Sequence, residues 1–337
     1  MNTPRGEQRS RLHQKLKREL GDTVVDALGD PDVIEVMLNP DGRLWVETHS
    51  RGVEPMGTAM ACLDAESLVG TVASLLGTVV NSSQPLLEGE LPDGSRFQGL
   101  LPPVSSAPVF VIRKRAARIY SLVDYVEKEM MNPAQWAAIR EAILERRNIV
   151  IAGGTGSGKT TLANAILREM VVLGEASERF VILEDTVELQ CAAENSVQLH
   201  TGENADLTRL VRTTMRLRPD RIIIGEVRGP EALALLKAWN TGHPGGLTTV
   251  HANSAHGALQ RLELLVEEAG VVAQPEIIVE AVGLLVFMER TPRLGRKVTE
   301  VARVIRWKAD AGYQLAPIKA PEGGESHGND SAENFRH

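Results

Sequence analysis

The chain has 337 residues, 43% of them hydrophobic and only 4% aromatic, and a formal charge of −7. Its length accommodates about two globular domains. Its acidity (pI about 5.7) speaks against a protein built chiefly to neutralise phosphate backbones, so no direct, specific nucleic-acid binding is expected. Cys62 and Cys191 are far apart and fit no CxxC or Cys/His ligand spacing, which excludes a disulfide scaffold and a zinc site. Both read as reduced core thiols of a cytosolic protein.

Residues 1–20 carry Arg5, Arg9, Arg11, Lys15, Lys17 and Arg18 against Glu7 and Glu19, with Leu12, Leu16 and Leu20 at helical spacing. This basic amphipathic helix either docks on its own domain or meets an anionic membrane surface. It lacks the apolar core of a secretory signal. The late apolar stretch at 277–288 is interrupted by Glu280 and is shorter than the roughly 20 residues that span a bilayer. The expected location is therefore cytoplasmic, with peripheral contact on the inner face of the cytoplasmic membrane left open.

Residues 21–117 read as a small α+β domain. Short strands at 33–38, 43–47 and 95–101 surround the turns Asn39-Pro40-Asp41-Gly42 and Leu91-Pro92-Asp93-Gly94. A helix opening near Asp64 aligns Leu68, Val72, Leu75, Leu76 and Val79. Residues 118–132 read as a linker, because Asn132 and Pro133 then supply an N-cap and a first helical position. From 133 to 319, apolar strands alternate with amphipathic helices, the signature of a mostly parallel α/β sheet. The Gly-, Glu- and Ser-rich tail, 320–337, has little to bury and reads as disordered.

The apolar run 149–152 feeds directly into Gly153-Gly154-Thr155-Gly156-Ser157-Gly158-Lys159-Thr160, and Leu162, Ile166 and Met170 then share a helical face. Strand, glycine loop and helix are the context that a P-loop requires. Backbone amides and the helix N-terminus wrap the β-phosphate, with Thr161 continuing the loop into the helix. Lys159 reaches the β- and γ-phosphates, and the Thr160 hydroxyl ligates Mg²⁺. ATP and Mg²⁺ are thus the expected cofactors. A dinucleotide fingerprint is excluded, since the loop continues with lysine.

Downstream there is neither the Asn-Lys-x-Asp of guanine recognition nor the half-site of a transporter cassette. Instead the strand 180–183 ends in Glu184-Asp185, with Glu188 close behind, and the strand 222–224 ends in Gly225-Glu226. Acids at strand ends beside a P-loop sit where the metal and the attacking water must be. Glu226 reads as the general base, with Glu184 and Asp185 in the metal and water shell. Between these strands Leu207, Leu210, Val211, Thr214 and Met215 form an apolar helix face. Arg209, Arg212 and Arg216 form a second face, which is either a solvated stripe or an interface that delivers guanidinium groups.

Taken together, GGTGSGKT, ILEDTVEL, LRPDRIIIGEVRG and TGHPGGLTTVHA resemble the secretion traffic ATPases, most of all the TrbB-type conjugal-transfer ATPases of type IV systems. The resemblance spans about residues 20–318. It implies a RecA-like P-loop core with a smaller α+β N-terminal domain, assembled as a hexameric ring that works with inner-membrane components of the apparatus. It implies ATP hydrolysis powering pilus assembly and relaxase–DNA transfer. It also assigns Glu184, Asp185 and Glu188 to an acidic box, Gly225 and Glu226 to an atypical Walker B, and His243 and His251 to a γ-phosphate-sensing histidine box. Arg113 and Arg115 match the arginines that the N-terminal domain brings near the nucleotide, and Arg96 matches less well. The alternatives are a type II secretion or pilus motor, against which the missing tetracysteine insertion speaks, and a nucleic-acid translocase.

Overall fold

Period-two alternation in the first third of the chain pairs its strands into one antiparallel sheet. In the computed structural model, which describes residues 4–48, 50–115, 120–202, 204–291 and 295–319, the chain divides into two units, Met1–Arg118 and Ile119–His337. The first unit contains α1 (Pro4–Gly29), β1 (Val33–Leu38), β2 (Arg43–Thr48), β3 (Gly52–Ala59), α2 (Cys62–Leu76), β4 (Leu86–Glu90), β5 (Arg96–Leu100) and β6 (Val109–Arg113). Its sheet runs β3-β2-β1-β6-β5-β4. Both expected turns carry an aspartate that accepts the amide two residues on, Arg43 onto Asp41 at 3.0 Å and Ser95 onto Asp93 at 3.0 Å.

The basic N-terminal helix does not stop at residue 20. It bends at Gly21, whose φ of 73° and ψ of 160° leave the helical region, and continues to Gly29. Leu16, Leu20 and Val24 enter the same core as Leu68, Val69, Val72, Val36 and Ile112. The apolar face is therefore spent on its own domain, while Arg11, Lys15, Lys17 and Arg18 point to solvent.

Two expectations fail in this unit. Val79 lies beyond the left-handed Gly77 that ends α2 and is 63% exposed. Cys62, the first residue of α2, is exposed rather than core, although both cysteines are free.

The second unit contains α3 (Leu122–Glu127), α4 (Pro133–Leu144), β7 (Ile149–Gly153), α5 (Lys159–Leu173), β8 (Phe180–Glu184), β9 (Ser196–His200), α6 (Leu207–Thr214) and β10 (Arg221–Ile224). It continues with α7 (Glu231–Asn240), β11 (Leu247–His251), α8 (Ala255–Glu267), α9 (Pro275–Ala281), β12 (Leu284–Thr291), β13 (Gly295–Lys308) and β14 (Gly312–Pro317). The sheet runs β14-β13-β12-β7-β11-β10-β8-β9. The strands from β12 to β9 are parallel, and β13 and β14 are added antiparallel.

Alternate residues of the central strands face opposite helical layers. Val150, Ala152, Val181 and Leu183 pack towards α6, α7, α8 and α9. Ile149, Ile151, Phe180 and Ile182 pack towards α3, α4 and α5. Burial on both faces explains why these strands read as continuous apolar runs.

The linker reading of 118–132 needs correction where the chain is described. Ser121 and Asp124 form a reciprocal capping box that opens α3, and Leu122, Tyr125 and Met131 are buried with α4 and α5. Three apolar residues around a six-residue helix are too few for periodicity to register, but burying each contributes about 1.5–3 kcal/mol. The apolar stretch at 277–288 is divided between α9 and β12, and no helix among the described residues is long and apolar enough to cross a membrane. The tail expected to be disordered, 320–337, lies outside the described residues.

Candidate functional site

Every parallel strand from β12 to β8 delivers its C-terminal end to one edge of the second sheet, the edge where α/β proteins place ligands. The register fixes this placement. Gly153 is level with His251 of β11 and Met288 of β12, while Ile224, the last residue of β10, is level with Leu183 of β8. The phosphate loop, Glu184, Asp185, Glu226 and His251 therefore collect at that edge.

The loop from Gly153 to Thr160 leaves β7 and enters α5 at Lys159, with Gly156 and Gly158 at φ 69° and 97°. A side chain there would be strained, and these conformations turn amides inward. Gly153 is required by contact. A Cβ on it would lie 2.5 Å from the Met288 carbonyl and 2.6 Å from Ser157 Oγ. Gly154 and Thr155 are exposed at the rim, whereas Ser157 is buried. Thr160 and Thr161 are half-buried in the first turn of α5.

Lys159 is only 7% exposed, not the exposed loop residue that its setting suggests. Its Nζ donates to the carbonyls of Gly153 at 3.0 Å and Gly154 at 3.1 Å.

Glu226 follows β10. Thr249 donates to the Gly225 carbonyl at 2.9 Å and the Val227 amide donates to the Thr249 carbonyl at 3.0 Å, which pins this turn to β11. Arg228 Nε donates to Glu226 Oε2 at 2.9 Å and a second guanidinium nitrogen contacts the same oxygen. On the other side His251 Nε2 lies 2.7 Å from Glu226 Oε1, and Lys159 Nζ lies 3.4 Å from the same ring nitrogen. Desolvation lowers the His251 pKa below the usual imidazole value. The positive charges of Lys159, Arg228 and Arg261 act in the same direction against the opposing effect of Glu226. The ring lies between the P-loop lysine and the Glu226 carboxylate.

Glu184 is buried at the end of β8, and its Oε1 accepts the amides of Glu188 at 2.9 Å and Leu189 at 2.8 Å. Gly225 allows this approach, since a Cβ on it would sit 3.0 Å from Glu184 Cγ. Oε1 therefore shapes the loop 185–190, while Asp185 is exposed just beyond the strand. Asn164 of α5 closes the same loop, accepting the Gln190 amide at 2.7 Å and donating to the Glu188 carbonyl at 3.2 Å.

His243 is not brought to this edge. It precedes β11, four residues before Leu247, which pairs with the first residue of β7. At about 3.3 Å per strand residue, the length of β11 alone separates it from His251 by roughly 13 Å. Its neighbours belong to the opposite edge: Nδ1 is 3.3 Å from the Ala238 carbonyl. Close by, Arg221 bonds Glu178 at 2.8 Å and the Gly245 carbonyl at 3.2 Å, while Asn148 accepts the Gly246 amide at 2.8 Å. His243 therefore stands apart from the phosphate loop of its own chain. The motif TGHPGGLTTVH straddles a whole strand, and spacing in sequence did not show that its histidines sit at opposite ends.

Within the first unit, Arg113 of β6 pairs across the sheet with Arg96 and with Glu35, whose Oε1 is 3.5 Å from Arg113 Nε. Arg115 packs over the adjacent turn, its Cδ 3.0 Å from where a Gly94 Cβ would stand. Arg96, Arg113 and Arg115 thus gather at one end of that sheet. In the second unit Arg209 donates to the Asn204 carbonyl at 2.6 Å, and Arg212 and Arg216 are exposed. Met215, expected on the apolar helix face, caps α6 and is 38% exposed.

Sequence reasoning missed Asn164, Arg228 and Arg296, whose Nε donates to the Gly156 carbonyl at 2.9 Å. Only Arg228, two residues after Glu226, carried a local signal.

Oxygen donors from Thr160 and Asp185 suit a hard cation held partly by phosphates. Among the described residues no group of three or more His, Cys, Asp or Glu is placed to hold a metal ion.

A family model described as Type II/IV secretion system protein matches residues 19–309. The chain is 53% identical over 306 residues to the probable conjugal transfer protein TrbB of Sinorhizobium fredii, covering 90% of this chain and 93% of that protein. It is 55% identical over 295 residues to the conjugal transfer protein TrbB of Rhizobium radiobacter, covering 87% and 90%. The X-ray structure of the Legionella pneumophila ATPase DotB shares its fold, with a TM-score of 0.59 at 21% identity over 81% of this chain and 77% of that one.

Proposed function

The chain belongs to the type II/IV secretion system protein family, and we propose that it is the ATP-hydrolysing motor of a bacterial type IV conjugation or secretion system, powering pilus assembly and relaxase–DNA transfer. The supporting observation is the convergence of the phosphate loop, Lys159, His251 and Glu226 on one sheet edge. It occurs in a chain more than half identical to conjugal transfer proteins.

In this reading the amides of residues 153–161 cradle the polyphosphate of ATP, and Lys159 exchanges the Gly153 and Gly154 carbonyls for the β- and γ-phosphate oxygens. Thr160 and Asp185 hold Mg²⁺, which when bound neutralises charge on the β- and γ-oxygens. Glu184 serves that shell indirectly, by shaping the loop that carries Asp185 and Glu188. Glu226, steadied by Arg228, accepts a proton from water as its oxygen bonds to the γ-phosphorus and the bond to the β–γ bridging oxygen breaks, releasing ADP. His251 links the occupant of Lys159 to the state of Glu226. Arg113 or Arg115 supplies a guanidinium that arrives only on closure of a homo-hexameric ring docked on inner-membrane components.

The test is Lys159→Ala. ATP turnover is expected to be abolished while far-ultraviolet circular dichroism is unchanged, because the lysine is held by its own loop and not by the apolar core. Wild-type turnover in the folded variant sinks the assignment.

A further inference from the structure

The antiparallel extension of the second sheet meets the phosphate loop directly. Strand β12 runs parallel to β7 with Met288 opposite Gly153, then continues for three residues past the end of that strand. Arg290 therefore stands beside the departing loop. Its cross-strand partner is Arg296 of β13, so the two side chains share one face, with Met288 and Val298 buried behind them. Both guanidinium groups reach the loop. Arg296 donates from Nε to the Gly156 carbonyl at 2.9 Å, and its Cδ lies 3.1 Å from where a Gly158 Cβ would stand. One terminal nitrogen of Arg290 lies 3.7 Å from the equivalent point on Gly156.

Like charges directly opposite each other in an antiparallel pair repel. Here the repulsion adds to the positive end of α5 and to the Lys159 ammonium, so four positive groups gather around one loop. An anion seated in the loop meets all of them.

We propose that this hairpin pair is part of the nucleotide site: Arg296 is a positioning residue that fixes the loop through the Gly156 carbonyl, and Arg290 is a direct ligand of the bound polyphosphate. The inference rests on the phosphate loop being the ATP site. A purely structural role instead predicts that removing either residue destabilises the fold without weakening nucleotide binding.

Isothermal titration with Mg·ADP and thermal melts with and without it test this on the full chain. Arg290→Ala is expected to weaken ADP binding about tenfold or more, as for the loss of one charge-assisted hydrogen bond. The shift in melting temperature on adding ADP should shrink. Arg296→Ala is expected to weaken ADP binding comparably, and if it does not fold, Arg290→Ala alone decides. Wild-type ADP affinity in Arg290→Ala, or a lower nucleotide-free melting temperature with unchanged affinity, overturns the proposal. Lys159→Ala runs in parallel. If it too binds ADP as the wild type does, the ATP site itself is misplaced; if it alone loses binding, only the arginine inference falls.

Discussion

Glu226 is held from two sides, by the Arg228 fork on Oε2 and by the His251 ring beside Oε1. Its position therefore depends on neighbours that Glu226→Gln leaves in place. The amide keeps the shape and removes the proton acceptor, so ATP affinity is expected to persist while turnover falls on the order of 10²-fold or more. Single-turnover hydrolysis beside equilibrium ATP binding separates the two, and a nearly normal Glu226→Gln with a dead Glu184→Gln would reverse the roles. His251 gives a pH prediction of definite sign. Its folded pKa lies below the ordinary value because burial and the cations Lys159, Arg228 and Arg261 oppose protonation. The unfolded chain therefore takes up the proton first as pH falls. Stability from the neutral ring is complete above about pH 6.5 and is lost as pH drops from there through the lower folded value. Melting temperatures between about pH 7.5 and about pH 5.5 should decline less steeply in His251→Gln than in the wild type. Parallel curves would show that the ring does not titrate differently on folding.

At the scale of elements, the acidic loop after β8 is ordered by a residue of α5, the helix that precedes that strand. Asn164 bridges the Gln190 amide and the Glu188 carbonyl, so Asn164→Ala removes both half-buried bonds and should cost about 1 kcal/mol or more. A larger proportional loss of turnover than of ATP affinity is expected, measured by steady-state kinetics beside denaturant unfolding. Equal binding and turnover with the wild type would show that the loop needs no tether. Asn164 was illegible in the sequence because nothing local distinguishes it from any polar residue in an amphipathic helix. The same holds for Arg296, whose partner Gly156 is remote in sequence. By contrast, β7, β8 and β10 were legible because burial on both faces leaves unbroken apolar runs, and α4 because Asn132 and Pro133 mark its N-cap and first helical position. The helix α3 escaped because it is short, and the fates of His243 and His251 because strand length, not spacing, decides which sheet edge a residue reaches.

At the scale of the whole molecule, the second unit places one lysine and a strand-end carboxylate around the phosphate loop, while Arg96, Arg113 and Arg115 gather at one end of the first unit's sheet. Charge developing on the γ-phosphoryl oxygens is best met by a planar guanidinium that arrives on closure, an effect of about 10³ to 10⁵ in rate where arginine fingers act. We expect the active unit to be a ring in which at least one arginine reaches a phosphate across a domain or subunit boundary. Hydrolysis then drives movement, because a competent pocket exists only when neighbours are correctly placed. Arg113 and Arg115 are the N-terminal candidates, and Arg209, Arg212 and Arg216 are those on and beside α6. The exposure of the last two leaves them available to another copy of the chain. Specific ATPase activity should rise with protein concentration in step with the mass read by light scattering, and at least one arginine→alanine variant should assemble normally yet hydrolyse ATP far more slowly. Mass and rate together separate a missing guanidinium from a missing ring. A fully active monomer at high dilution, or wild-type rates in each of the five variants, would rule the mechanism out.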